Sequence, residues 1–206
     1  VLKAARVLSE GSETEDGIGD LVVLDIGGAT TDVHSIADGM PTKSGVTFRG
    51  LEEPFAKRTV EGDLGMRYSA LAVYEAAGLR LVKNFIDVEK YNSVEDEFEK
   101  RFENTDFVPT EKIDKEFDLG MAKICTFISM GRHAGTVKIV YSPLGNIYNQ
   151  EGKDLSEVKY LIGTGGVIIN NENPEEILKS GLFTMDEPDS LRPTEPKLMV
   201  DKSYVL

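Results

Sequence analysis

The residues from 25 to 32, with the sequence DIGGATTD, combine the groups that a phosphate-binding turn needs. Gly27 and Gly28 are adjacent, and a pair of glycines lets the backbone approach a ligand closely and present its N–H groups. The hydroxyl groups of Thr30 and Thr31 can donate hydrogen bonds to phosphate oxygens. These residue types in this order predict a turn that contacts phosphate.

Two carboxylates, Asp25 and Asp32, stand at either end of this segment. Carboxylates repel phosphate directly, but they are compatible with it when a divalent cation or its water molecules lie between. The residues themselves therefore suggest a phosphate-and-magnesium turn. The alternative is a surface hairpin with solvated Asp and Thr side chains, and spacing alone favours the two equally.

The elements around this turn indicate a β-hairpin. The apolar run 21–24 is typical of a buried strand, and 33–36 is a second strand-like run. Two strands joined through a Gly-Gly turn predict a hairpin. The segment 46–48, after the Asp-Gly turn signal at 38–39, predicts a third strand in the same antiparallel sheet.

A second glycine-rich turn follows a strand-like run much later, at 163–166. Such a strand end is common and indicates little by itself. Coming after the phosphate hairpin in this order, however, it is a strong indication of a nucleotide site. The segment 167–169 continues it as a short apolar stretch.

The segment 59–67, TVEGDLGMR, precedes a helical pattern that Gly78 is predicted to end. Glu61 and Asp63 then lie near a helix N-terminus, where negative charge is favourable, and capping alone explains them. At the other end of the chain, residues 201–206 are predicted to begin a helix.

The composition is that of an acidic globular protein. Of the 206 residues, 40% are hydrophobic and 29% are charged, which fits a chain with a buried core. The net charge of −13 argues against nucleic acid and anionic membrane as partners, because both need a basic surface. The single cysteine, Cys125, excludes an intramolecular disulfide and suits a reducing cytoplasm. No apolar run approaches membrane-spanning length.

The segment DIGGATTD resembles the second phosphate motif of the actin, heat-shock chaperone and sugar-kinase superfamily. Within that superfamily the residues of this segment are most similar to those of the MutL-type accessory proteins of the adenosylcobalamin-dependent glutamate mutase and ornithine aminomutase. The resemblance covers residues 21–200, approximately. It implies an α/β fold: a ribonuclease-H-like half, the C-terminal one, of an actin-like ATPase with an inserted small subdomain.

The resemblance also implies ATP and Mg²⁺ as cofactors and assigns site residues. Asp25 and Asp32 are the expected catalytic residues, and Asp25 is expected to hold Mg²⁺ through water. TVEGDLGMR resembles the superfamily's segment near the nucleotide, and 163–166 resembles its adenosine motif. The expected cofactor-binding residues are Gly27, Gly28, Thr30, Thr31, Glu61, Asp63, Arg67, Gly163, Thr164, Gly165 and Gly166.

The expected organisation divides the chain into four parts. Residues 1–20 are the tail of a preceding element and a linker, and 21–87 begin the ATPase half with the phosphate hairpin. Residues 88–118 are the inserted subdomain, and 119–206 complete the half with the adenosine turn. The chain begins without an initiator methionine, and the other half of the ATPase, with the first phosphate motif, is expected to be missing from it. Alone, these residues are expected to bind nucleotide at millimolar affinity or weaker, and to hydrolyse it slowly or not at all.

The function implied by the resemblance is that of a chaperone-like reactivating factor in the cytoplasm. It would use ATP to promote cobalamin exchange in a mutase, so its partners would be the mutase subunits and the missing ATPase half. A small-molecule kinase of the same superfamily is the first alternative, although no motif for an acceptor site is present. A non-catalytic nucleotide-sensing scaffold is the second.

Overall fold

The chain folds into a mixed α/β structure, and the predicted α/β class is confirmed. The computed structural model describes residues 1–143 and 145–206. Its strands are β1 (Leu21–Ile26), β2 (Thr31–Ile36), β3 (Val46–Arg49), β4 (Ala56–Glu61), β5 (Thr136–Ser142), β6 (Gly145–Glu151), β7 (Tyr160–Thr164) and β8 (Lys197–Val200). Its α-helices are α1 (Leu2–Glu10), α2 (Ala70–Phe85), α3 (Val94–Glu103), α4 (Lys112–His133), α5 (Gly166–Ile169) and α6 (Pro174–Lys179).

The main sheet has five strands in the order β4-β2-β1-β7-β8. β2 is antiparallel to both of its neighbours, whereas β1, β7 and β8 run parallel to one another. β1 is central and apolar because both of its faces are covered. Val22 and Leu24 belong to the core that α2 and α4 cover, and Leu21 and Val23 pack in a second cluster with Ala5 of α1.

The predicted hairpin is confirmed, but the third strand was wrongly placed. β1 and β2 pair antiparallel from Leu21 opposite Ile36 to Ile26 opposite Thr31. The segment 46–48 does form a strand, β3, but it lies in a second sheet of order β3-β6-β5. The third strand of the main sheet is β4. It is a half-buried edge strand and carries Lys57 and Arg58, so its sequence lacks the apolar pattern by which a strand is recognised.

The predicted helix end at Gly78 is confirmed for the first part of α2: Gly78 has non-helical backbone angles, φ 61° and ψ 164°, and a second helical segment follows it to Phe85. One further expectation was wrong. Residues 201–206 form turns, not a helix. The carboxylate of Asp201 accepts hydrogen bonds from the backbone N–H groups of Val205 and Leu206, so that the chain end folds back on this side chain.

The segment 88–118 contributes to the same core as the helices that flank it. Ser93 accepts a hydrogen bond from the Asp96 N–H, which is an N-cap for α3. The ring of Phe98 lies 5.2 Å from that of Tyr74 and 5.1 Å from that of Phe117. The division of the chain into subdomains stays a prediction. In the described residues no helix is long and apolar enough to cross a membrane.

Candidate functional site

Residues of the two glycine-rich turns line one cavity of about 750 Å³. The hairpin turn contributes Ile26, Gly27 and Gly28, and the second turn contributes Gly166. The other lining residues come from the segments 66–67, 107–119 and 167–173. This volume lies within the usual range for small-molecule sites, about 300 to 1,000 Å³.

The pairing of β1 with β7 brings the two turns together. These strands are parallel neighbours, and Asp25 lies opposite Thr164 at their carboxyl ends. Chain segments that follow parallel strands meet at the same edge of a sheet, which is where ligands bind in open α/β sheets. The position of the cavity therefore follows from the topology.

Three glycines of these turns differ in whether the fold itself requires a residue without a side chain. Gly165 has a φ of +90°, and a Cβ there would lie 2.4 Å from the Ile26 carbonyl oxygen, so the fold itself needs a glycine. A Cβ on Gly28 would come no closer than 3.8 Å to the ring of Tyr68, and one on Gly166 no closer than 4.0 Å to the Tyr204 hydroxyl. Packing does not require a glycine at these two positions, both of which face the cavity.

The segment after β4 is bonded directly to the hairpin turn. The N–H of Met66 donates to the Gly27 carbonyl at 3.0 Å, and the N–H of Arg67 donates to the Gly28 carbonyl at 2.7 Å. These bonds use the two glycine carbonyls and place Arg67 in the cavity wall. The Arg67 guanidinium donates to the Phe107 carbonyl, the Met66 carbonyl and the Asp118 carboxylate.

Asp25 and Asp32 lie beside the cavity and are not part of its wall. They are opposite each other on β1 and β2, on the face of the sheet that α1 covers. Burial, and then the charge of Asp32, raise the pKa of Asp25. Asp32 Oδ2 accepts a hydrogen bond from Arg58 Nη2 at 3.2 Å. A Cβ on Gly165 would lie 2.9 Å from Asp25 Oδ1, so this carboxylate lies against the second turn.

The hydroxyl groups of two predicted threonines, Thr31 and Thr164, have internal hydrogen-bond partners. Thr31 is fully buried, and its hydroxyl donates to the Leu64 carbonyl at 2.7 Å, away from the cavity. The Thr30 carbonyl accepts from the Gly27 N–H at 2.9 Å and closes the hairpin turn. Thr164 is also buried, and its hydroxyl donates to Asp201 at 3.4 Å.

Glu61 and Asp63 lie outside the cavity wall and form ion pairs with Arg132 of α4. Arg132 Nη1 lies 2.7 Å from Glu61 Oε2 and 2.7 Å from Asp63 Oδ1. The hydrogen bond from Arg132 lowers the pKa of Asp63. Gly163, another predicted residue, is enclosed: a Cβ there would lie 2.8 Å from side-chain atoms of Ile168 and Leu178.

The family of the chain follows from two comparisons with known proteins. A family model described as MutL protein matches residues 1–206. Protein MutL of Clostridium tetanomorphum is 55% identical over 214 residues, a match that covers 100% of this chain and 44% of that protein. This chain belongs to the MutL protein family. It spans less than half the length of the curated relative, and the family expected from the sequence is confirmed.

The sequence did not identify which residues form the outer wall of the cavity in this MutL-family chain. Phe107, Lys112 and Lys115 line it from the segment between α3 and the first turn of α4, and Asn170 lines it from the end of α5. A charge-rich surface segment gives no signal of which face lies toward a ligand. The lysines three residues apart at the start of α4 share a helix face, but this spacing occurs on many solvated helices.

The charges around the cavity suit a ligand with both anionic and polar groups. Arg67, Lys112 and Lys115 are basic, and Glu116, Asp118 and Glu172 are acidic. Lys115 Nζ lies 3.5 Å from Glu172 Oε1, so an exposed ion pair connects the two sides of the opening. Within the described residues no group of three or more His, Cys, Asp or Glu side chains could hold a metal ion. A protein cage for a metal is thus absent from this part of the chain, whereas Mg²⁺ bound to one carboxylate, phosphate and water needs none.

Proposed function

We propose that the MutL-family chain binds ATP with Mg²⁺ at the two glycine-rich turns, as part of an accessory protein of an adenosylcobalamin-dependent mutase. The observation that carries this proposal is that Gly28 and Gly166 face one cavity although neither packing nor a left-handed φ requires a glycine there. Close approach of a ligand to the backbone is a physical reason for a residue without a side chain at these two positions in the cavity wall. Phosphate is the ligand group that such turns bind through their N–H groups.

The topology supports the finer description of the fold. The order β4-β2-β1-β7-β8, in which β2 alone is antiparallel, is the arrangement expected of a ribonuclease-H-like half of an actin-like ATPase. On this description the hairpin turn and the second turn would occupy the places of the phosphate and adenosine motifs. The segment 107–119, at the edge of the proposed insertion, lines the cavity from outside, as an inserted subdomain over a nucleotide would.

Each part of the site would have a separate task. The base and sugar would occupy the part of the cavity beside Gly166, and the phosphates would extend past Gly28 and Arg67 of the cavity wall toward Asp25. Mg²⁺, when bound, would neutralise phosphate charge and order the attacking water. Asp25 would hold the waters of this ion, and Arg58 would hold Asp32 in place beside it.

The remaining part of the ATP site would come from outside these 206 residues. Phosphoryl transfer depends on groups that surround the phosphates from several directions, and the described residues supply them from one side. The curated relative is more than twice as long as the match, which leaves room for a second half. ATP binding and hydrolysis by the complete protein would open the mutase so that damaged cobalamin can exchange.

The binding claim is tested by a titration of Mg-ATP into the natural protein that contains this chain. Gly28→Ala and Gly166→Ala each add a methyl group to the proposed contact surface, and Gly62→Ala is the matched control, because its Cβ would meet nothing within 4 Å and lies outside the cavity. We expect each cavity variant to bind Mg-ATP about tenfold or more weakly, a loss of roughly 1.4 kcal/mol, and the control to bind as the wild type does. Equal affinities in all four proteins would contradict the proposal.

The accessory role is tested separately by ATP turnover. We expect hydrolysis by the natural protein to increase when a purified adenosylcobalamin-dependent mutase with inactivated cofactor is added, and cobalamin to be released in an ATP-dependent manner. The control is the same mutase with intact cofactor. Turnover that responds to small hydroxyl or carboxyl acceptors and not to the mutase would instead identify a small-molecule kinase.

A further inference from the structure

One buried carboxylate, Asp118 of α4, is shared between two arginines at the back of the cavity. Asp118 is 4% exposed. Its Oδ2 accepts from Arg67 Nη2 at 2.7 Å, and its Oδ1 accepts from Arg101 Nε at 2.6 Å. Arg67 lies in the cavity wall, whereas Arg101 of α3 is fully buried. Bonds between charged groups in a site of this kind are stronger than those between neutral groups.

Arg101 is fixed by its other contacts. Its Nη1 lies 2.7 Å from Glu97 Oε2, and its Nη2 donates to the Asp114 carbonyl at 3.2 Å. Its guanidinium carbon lies 4.2 Å from the ring centroid of Phe117, a distance typical of a cation–π contact. Arg101 therefore anchors Asp118 from the side away from the cavity.

Arg67 joins this anchor to the loop 104–111. Its Nε donates to the Phe107 carbonyl at 3.0 Å, and its guanidinium carbon lies 5.6 Å from the Phe107 ring centroid. Lys100 Nζ lies 4.7 Å from the same ring. The Arg101 guanidinium carbon lies 5.3 Å from it as well. Phe107 and its loop form the outer wall of the cavity, and Arg67 contributes the hydrogen bond to the backbone of this wall.

Arg67 still has bonding capacity for a ligand. A guanidinium carries five N–H donors, and the contacts to Phe107, Met66 and Asp118 use three of them, which leaves two. Arg101 also pairs with Glu97 and Asp114, so Asp118 and Arg67 keep a direct ion pair that fixes the direction of the guanidinium. An anionic group in the cavity would meet a guanidinium whose orientation is already set.

We propose that Asp118, held by Arg101, is a positioning residue that fixes the orientation of Arg67. In this orientation Arg67 donates hydrogen bonds to an anionic ligand and also holds the loop 104–111 in place. This inference rests on the proposed nucleotide site for its ligand, but its statement about the loop does not. Asp118 also lines the cavity, but its two carboxylate oxygens already accept hydrogen bonds from Arg67 and Arg101, so we assign it an effect on the ligand through Arg67.

The first test is amide hydrogen exchange in the natural protein without nucleotide. Asp118→Asn removes the shared charge, and Asp106→Asn is the matched control, since it makes the same change on an exposed residue of the loop itself. We expect exchange over 104–111 to be faster by about tenfold in Asp118→Asn, because the bond to a charged group that orients Arg67 is lost, and unchanged in the control. Wild-type exchange in Asp118→Asn would overturn the proposal.

Arg67→Lys covers the case in which Asp118→Asn does not fold. Lysine keeps the charge but cannot donate in three fixed directions. Because Asp118 is unchanged in this variant, the buried Arg101 keeps its carboxylate partner, and residue 67 itself is partly exposed. We expect the same faster exchange over 104–111. Exchange at the wild-type rate in Arg67→Lys would also overturn the proposal.

The second test compares two ligands. We expect the variants of Asp118 and Arg67 to bind Mg-ATP about tenfold or more weakly and adenosine with unchanged affinity, because the neutral ligand makes no use of the oriented charge. An equal loss for both ligands would identify a merely structural role and overturn the positioning claim. If the wild type bound neither ligand, the proposed nucleotide site would fail, and the exchange experiment would still decide the statement about the loop.

Discussion

Asp25 and Asp32 lie directly opposite each other on β1 and β2, and the basic side chain beside them, Arg58, bonds to Asp32. Asp25 is half-buried at the carboxyl end of β1, where burial and the charge of Asp32 raise its pKa. A nearby cation would relieve both effects, since it favours the ionised carboxylate. The two aspartates therefore differ in their surroundings: Arg58 positions Asp32, and Asp25 is the one placed to hold a hydrated metal ion.

The first prediction concerns these carboxylates. In the natural protein, Asp25→Asn and Asp32→Asn should each reduce ATP hydrolysis by about 10²-fold or more, because groups that order metal and water are lost, while the fold is kept. Glu13→Gln, an exposed acidic residue of the 11–20 loop, is the control. Steady-state turnover and thermal unfolding check both parts. Unchanged turnover in both aspartate variants would return them to the role of ordinary hairpin residues.

The second prediction contrasts two buried histidines. Both ring nitrogens of His133 have partners at 2.9 Å, Thr59 Oγ1 and Ser35 Oγ, whereas both ring nitrogens of His34 are buried without one. His133→Leu should lower the free energy of unfolding by about 1–3 kcal/mol, because the buried Ser35 hydroxyl and the half-buried Thr59 hydroxyl lose their partner. His34→Leu should leave it unchanged or raise it. Chemical denaturation measures both, and equal losses would contradict the assignment.

The third prediction is a pH dependence of stability. Burial lowers the pKa of His133 to about 2 and that of His34 to about 4, from an ordinary value of 6.5. Below pH 6.5 the unfolded chain therefore binds protons that the folded chain does not, and the free energy of unfolding falls as the pH falls. Each histidine contributes about 1.4 kcal/mol per pH unit until its folded pKa is reached.

The contribution of one histidine is measured by difference. Between pH 6 and pH 4.5, approximately, His133→Gln should show a shallower loss of stability than the wild type, by about one proton. Carboxylates with a lowered pKa, such as Asp63, contribute equally to both proteins and cancel. Parallel curves for the two proteins would show that His133 is protonated as easily in the folded chain as in the unfolded one.

The fourth prediction separates the adjacent glycines of the second turn. Gly165→Ala should lower the free energy of unfolding by about 1–3 kcal/mol or more, since φ is +90° and the new Cβ would clash with the Ile26 carbonyl. Gly166→Ala should change it by less than about 0.5 kcal/mol. Urea unfolding of the two variants gives the comparison. A stable Gly165→Ala protein would mean that the turn has a different backbone conformation.

The central hairpin could be predicted from the sequence because its signals are local. The apolar run 21–24 and the Gly-Gly turn specify two paired strands without reference to the rest of the chain. β4 gave no such signal, because an edge strand with one solvated face tolerates Lys57 and Arg58. Its place in the sheet depends on pairing with β2.

At the site, too, local signals could be predicted from the sequence, whereas contacts between distant residues could not. Glycine pairs indicate where backbone is open to a ligand, and Gly28 and Gly166 are at the cavity. Side-chain roles depend on distant partners: Thr31 bonds to Leu64, and Asp63 bonds to Arg132. The sharing of Asp118 between two arginines joins residues that are far apart in the chain, and no spacing rule connects them.

The most direct test of the central claim is a titration of the 206-residue chain with Mg-ATP, followed through its backbone amide NMR signals. We expect the signals of Gly27, Gly28 and Gly166 to shift together, with one dissociation constant in the millimolar range or weaker, equivalent to roughly −4 kcal/mol, because one side of the site is present. Micromolar binding would contradict the half-site description. Shifts confined to other parts of the chain, with none at these glycines, would contradict the nucleotide site itself.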